Sequence, residues 1–131
     1  MRPSDLYEQF FRTLYIRNKA EKIVPLVLND AQRRVWNVMA PKLDDGKRVW
    51  IILLKARQEG MSTLTEALLT THAALRDNVN ALIMAHETKA TKRIWSMTKL
   101  MLDHHPFLKT QYRKVENELH LGRSMIDVAS A

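Results

Sequence analysis

Arg48-Val49-Trp50-Ile51-Ile52-Leu53-Leu54, followed at once by Lys55-Ala56-Arg57-Gln58-Glu59-Gly60-Met61-Ser62-Thr63, is the stretch on which the reading of this chain turns. Residues 49–54 are apolar without a break and partly β-branched. That pattern predicts a strand buried on both faces, as in a parallel sheet covered by helices. After the loop, Leu64, Ala67, Leu68, Thr71 and Leu75 recur at helical spacing from Ser62 onward. The helix is expected to end at Asp77-Asn78, before a second buried-type strand at residues 80–85. Strand, loop, helix, strand is a βαβ unit, which places the chain among α/β proteins.

The loop lies where a phosphate-binding loop belongs. Between a buried strand and a helix N-terminus, unpaired backbone N–H groups and the helix dipole favour an anion. Against G-x-x-x-x-G-K-[ST], only Gly60 and Ser62 match: Lys55 stands at the first glycine position and Met61 at the lysine position. A lysine at the strand end has a stem long enough to bring its ammonium to the phosphates from the other side. Arg57 adds a planar, bidentate donor. Ser62 places a hydroxyl for Mg²⁺, and Gly60 lets the backbone approach the phosphates. The alternative is an ordinary βα loop with solvated cations.

Outward from this unit, Ser4 reads as the cap of an amphipathic leading helix with Leu6, Phe10, Leu14 and Arg17 on one face. Residues 23–28 read as extended around Pro25. Asn29 reads as the cap of a helix from Asp30 toward Asp44, kinked or shortened by Pro41 and ended by Gly46. Downstream, Ala90, Ile94, Met97 and Met101 mark a helix ending near His104-His105-Pro106. Residues 116–121 and 124–128 read as two short strands turning at Gly122-Arg123. The chain of 131 residues divides into a leading helix over 1–22 and an α/β core over 23–131, with no repeat or linker between them.

Composition narrows the functions. Lysine and arginine outnumber aspartate and glutamate by 21 to 14, a formal charge of +7, which favours phosphate-bearing or other anionic partners. Without cysteine there is no disulfide framework, thiolate metal site or cysteine nucleophile. The longest apolar run is far too short for a membrane span, so no membrane partner is expected. His104-His105 has no local third ligand and reads as a helix end. Trp36, Trp50 and Trp95 read as packing aromatics rather than base-stacking platforms, since none sits in a basic-aromatic cluster. Lys89, Lys92, Arg93 and Lys99 fall on the polar side of one helix, either as a solvated face or as a contact for DNA backbone or a neighbouring subunit.

The loop K-A-R-Q-x-G-x-S-T after an apolar strand resembles the deviant Walker A of phage terminase large subunits, the DNA-packaging motor ATPases. Leu28-Asn29-Asp30-Ala31-Gln32 is similar to that family's adenine-recognition segment. Ala81-Leu82-Ile83-Met84-Ala85-His86-Glu87 with Ala90 resembles its second strand and helix, and residues 117–131 the hairpin stretch before Walker B. The resemblance covers about residues 25–131 and implies the N-terminal part of a P-loop NTPase-like ATPase domain, with a mainly parallel sheet and flanking helices. It implies ATP and Mg²⁺ as cofactors, with Gln32, Lys55, Arg57, Gln58, Gly60, Met61, Ser62 and Thr63 as the nucleotide-binding residues. Gln32 is chemically suited to an adenine edge, but Asn29-x-x-Gln32 is also a capping-box spacing.

The same resemblance implies duplex DNA, a portal protein and a small terminase subunit as partners, in the cytoplasm of a bacterial host. No Walker B follows: Asp127 in Met125-Ile126-Asp127-Val128 has only two apolar residues before it and no acid after it. The chain is therefore expected to stop before Walker B, to bind ATP without hydrolysing it alone, and to self-associate. Two other readings stay open at this point, a helicase-like ATPase and a basic, non-catalytic nucleic-acid-binding or assembly module.

Overall fold

The computed structural model describes residues 1–54 and 60–130. Helix α1 (Pro3–Phe11) leads into a two-stranded antiparallel ribbon, β1 (Tyr15–Arg17) and β2 (Ile23–Pro25). Helix α2 (Asp30–Asp44) follows, then α3 (Met61–Leu75), β3 (Asn80–Ala85) and α4 (Thr88–His104). A 3-10 turn (Leu108–Thr110) leads to β4 (Tyr112–Val115), β5 (Glu118–Leu121) and β6 (Ser124–Ser130).

The larger sheet runs in the order β3-β6-β5-β4. Only β3 and β6 are parallel, and the other two pairings are antiparallel. The expected mainly parallel sheet is thus a mixed one: β4 to β6 form a meander whose short turns at 116–117 and 122–123 allow only antiparallel pairing. Gly122 turns the β5–β6 hairpin at φ 57°, as the sequence suggested.

One face of this sheet is buried. Ala81, Ile83, Leu119, Leu121 and Ile126 pack with Ala73 of α3 and Leu102 of α4. The opposite face is open, with Leu82 and Met84 55% and 60% exposed. The two-sided burial expected for β3 is therefore corrected to one-sided burial. A second core joins Tyr7, Phe11 and Leu14 to Leu26, Trp36, Ala67 and Met101, so α3 and α4 serve both cores.

Local chemistry explains the helix ends. Asn29 caps α2, its side chain accepting from the Gln32 N–H at 2.8 Å, and the helix runs through Pro41 to Asp44. Helix α1 begins at Pro3 with Arg2, not Ser4, as N-cap. Ser4 instead gives its N–H and hydroxyl to the Asp44 carboxylate, each at 2.8 Å, and the buried stripe is Ser4, Tyr7 and Phe11. Leu6 is 46% exposed, because α1 ends at Phe11 and meets α3 and α2 on the Tyr7 side.

The apolar run before the loop differs most from expectation. Residues 49–54 form no strand among the described residues. Val49, Ile51 and Leu53 line a hollow with Val35 and Met39 of α2 and Leu64, Leu68 and Leu69 of α3. Trp50, Ile52 and Leu54 point away, 77%, 97% and 103% exposed. The alternation is that of a strand, but a strand requires a paired neighbour, and none of the described strands lies beside this segment.

Candidate nucleotide site at the start of helix α3

Gly60 is the N-cap of α3 and takes the left-handed conformation, φ 76° and ψ 21°. The backbone angle favours glycine, and a Cβ there would meet the Gln32 amide nitrogen at 2.6 Å and displace it. Among the described residues no side chain caps α3. The first intrahelical bond is Leu64 N–H to the Gly60 carbonyl at 3.0 Å. The N–H groups of Met61, Ser62 and Thr63 precede it and have no partner within the helix. A helix end of this kind presents N–H donors together with the positive end of the helix dipole.

Gln32 is built into that end. Its side-chain oxygen accepts from the Asn29 N–H at 2.8 Å, which completes the capping box, and its amide nitrogen donates to the Gly60 carbonyl at 2.8 Å. It is only 4% exposed. Each end of the amide makes one bond inside the protein, and at this burial the remaining N–H and lone pair have little access to an adenine edge. The structure thus shows the capping role and ties α2 to the loop across 28 positions.

Of the other sequence-selected residues, Lys55, Arg57 and Gln58 lie outside the described residues. Met61 is 6% exposed, so its side chain belongs to the core and only its N–H is left for a ligand at the helix end. Ser62 is exposed, in reach of a ligand at the helix end. Thr63 turns its hydroxyl toward the Met97 sulfur at 3.7 Å. One turn further on, Glu66 is buried against α4, where the Thr98 hydroxyl contacts both its carboxylate and the Ile94 carbonyl, the latter at 3.0 Å. One hydroxyl proton cannot serve two acceptors. A protonated Glu66 donating to Thr98 satisfies both, in keeping with burial pushing its carboxyl up to about 7.

The remaining candidates resolve into structural roles. His105 Nδ1 accepts from the N–H groups of Phe107 and Leu108, both at 3.1 Å, and Nε2 meets the Thr13 hydroxyl at 2.9 Å, while the ring stacks on Phe10. Its ligand positions are used, and no metal-holding cluster occurs among the described residues. Asp127 sits mid-strand opposite Leu82 and Glu118. Among the described residues no helix is long and apolar enough to cross a membrane. Trp36 is a core residue at 1% exposure, and Trp50 is exposed. Trp95 corrects the expectation of no basic surroundings: Lys114 Nζ lies 5.7 Å from its ring centre. The two are 19 positions apart on different elements, beyond the reach of any local pattern.

No family model and no curated protein matches the chain. Among solved structures, the crystal structure of the HK97 bacteriophage large terminase superposes with a TM-score of 0.83 over the whole of this chain. The fold is terminase-like. Identity is 17%, and the chain spans 28% of the length of that terminase. The mixed four-stranded sheet and its helices thus belong to an architecture kept at low sequence identity.

Proposed function

We propose that this chain is the ATP-binding portion of a phage terminase large subunit, the motor that drives duplex DNA into a procapsid. The observation that carries the reading is the left-handed Gly60 that opens α3, with no side-chain cap among the described residues, in a terminase-like fold and two positions after the run K-A-R-Q. The residues present fit a nucleoside triphosphate. The N–H groups of Met61, Ser62 and Thr63, ahead of the first intrahelical bond, are available to phosphate oxygens, and the exposed Ser62 hydroxyl to the Mg²⁺ that accompanies ATP. Bound Mg²⁺ would neutralise phosphate charge.

In this reading Lys55 and Arg57 supply the cationic contacts that Met61 cannot, and Gln58 belongs to the same loop. Gln32 acts as a positioning residue through Gly60 rather than by reading adenine. Portal protein and small terminase subunit are the proposed assembly partners. Titration with a fluorescent ATP analogue tests the reading. Charged hydrogen bonds to phosphate contribute about 1.5–3 kcal/mol, so Lys55→Ala should weaken binding roughly tenfold to a hundredfold. Unchanged affinity would take Lys55 out of the site, and no binding by the unsubstituted chain would sink the nucleotide reading.

A further inference from the structure

One face of α3 carries Leu64, Leu68, Leu69, His72 and Arg76 at helical spacing, and a trough runs along it. Its wider end is a cavity of about 460 Å³, within the range of about 300–1,000 Å³ usual for small-molecule sites. The buried rings of Tyr7 and Trp36 close it at depth. Met39, Val49, Leu68 and Leu69 line both this cavity and the apolar hollow of Ile51 and Leu53, so the two are continuous. From Leu64 to His72 the helix rises about 12 Å.

The two ends differ in chemistry. Around Leu64 the lining is apolar except for Thr65. At the other end the Tyr7 hydroxyl meets His72 Nδ1 at 2.5 Å. Burial, reinforced by the Arg76 charge, holds His72 below the usual histidine range, so the ring is neutral. With the hydroxyl donating to Nδ1, the ring proton sits on Nε2. That N–H has no partner among the described residues, and Arg76 is in no ion pair among them. Lys47 lines the same end, held only at 4.0 Å by Asp45 outside the cavity. No acid among the described lining residues offsets the two cations.

We propose that this trough binds a single-chain alkyl carboxylate of medium length, its head on Arg76 and His72 and its chain along Leu69, Leu68 and Leu64. Two donors without an acceptor call for an anion with two oxygens, and a carboxylate supplies them. Met39, Leu43, Val49, Leu68 and Leu69 are each half-buried, and an alkyl chain would take their remaining apolar surface out of water. The head lies at the opposite end of α3 from Gly60, about 24 Å along the axis, so the site stands apart from the nucleotide reading.

The test is calorimetric titration of the full chain with decanoate at pH 8. Binding is expected below the concentration at which decanoate forms micelles. Butyrate, which keeps the head and loses most of the chain, should bind about a hundredfold more weakly or worse. Decanol, which keeps the chain and loses the charge, should bind about tenfold more weakly, and Arg76→Gln should weaken decanoate by a similar factor. Val49→Asp, which sets an acid against the chain, should also weaken it, whereas Arg123→Gln at the β5–β6 turn should not. Circular dichroism checks that each variant is folded, and retained binding of the ATP analogue by Arg76→Gln separates this site from the nucleotide site. Decanol binding as tightly as decanoate would overturn the proposal, as would equal losses in Arg76→Gln and Arg123→Gln. Uptake confined to micellar decanoate would overturn it too, since that is the behaviour of a detergent on exposed apolar surface.

Discussion

Gly60 and Gln32 form a coupled pair, and the coupling is measurable. Gly60→Ala forces a left-handed alanine into the space of the Gln32 amide and should cost about 1–3 kcal/mol of stability. Gln32→Ala removes a cap and the Gly60 bond and should cost about 0.5–2 kcal/mol. Since the second change also removes the atom that the new methyl strikes, the double variant should be less destabilised than the two losses together; strict additivity in urea melts would show that the contact is not felt. With the amide engaged inside the protein, Gln32→Ala should leave the preference for ATP over GTP unchanged. Glu66 gives a second prediction. Its folded pKa, about 7, lies above its unfolded value, so the buried acid favours folding at low pH and that contribution is lost as pH rises through about 7. Glu66→Gln should match the parent near pH 4 and be more stable at pH 8, by up to about 3 kcal/mol. His72 and His105 work in the other direction: burial lowers both, so their contribution is present above about 6.5 and lost on acidification. A parent curve minus the Glu66→Gln curve that is flat with pH would contradict the assignment.

At the scale of elements, α2, α3, β3 and α4 were legible because each carries its own punctuation. Asn29, Gln32 and Gly46 bound α2, and Asp77-Asn78 separates α3 from β3. The run 49–54 was read for its composition, and that composition is the same for a paired strand and for an extended segment lying on two helices. Pairing is a long-range property that no window around Trp50 contains. The one-sided burial of β3 is hidden for a related reason: an unbroken apolar run does not show which alternate residues, here Leu82 and Met84, face outward. The three-residue β1 and four-residue β4 are too short to show a period. The glycine of the candidate site was legible from its place before Ser62, whereas its bond to Gln32 and the Lys114–Trp95 contact depend on the folded chain. The expectation for residues 49–54 is that they pair when a strand is offered. An added extended apolar peptide should produce new β-signal in the infrared amide band, and Ile52→Pro should abolish that gain; no gain with the parent would show the segment to be inert.

For the molecule as a whole, an open sheet face at Leu82 and Met84 and an outward row at Trp50, Ile52 and Leu54 expose apolar surface that water does not favour. The charge of +7 resists contact between copies, but at physiological salt its reach falls to about 8 Å. Light scattering should therefore show self-association that grows with protein concentration and salt and is reduced by Ile52→Lys with Leu54→Lys; a strict monomer at millimolar concentration would refute it. The three tryptophans also make the protein its own optical instrument. Trp36 is sealed in the core, Trp50 stands in water, and Trp95 lies under an ammonium group. With the other two replaced by phenylalanine, Trp50 should emit in the red of the tryptophan range and shift to the blue when its face is covered. Trp95 should change intensity when Lys114 is drawn off its ring, so that assembly and this contact report in separate colours without any attached dye.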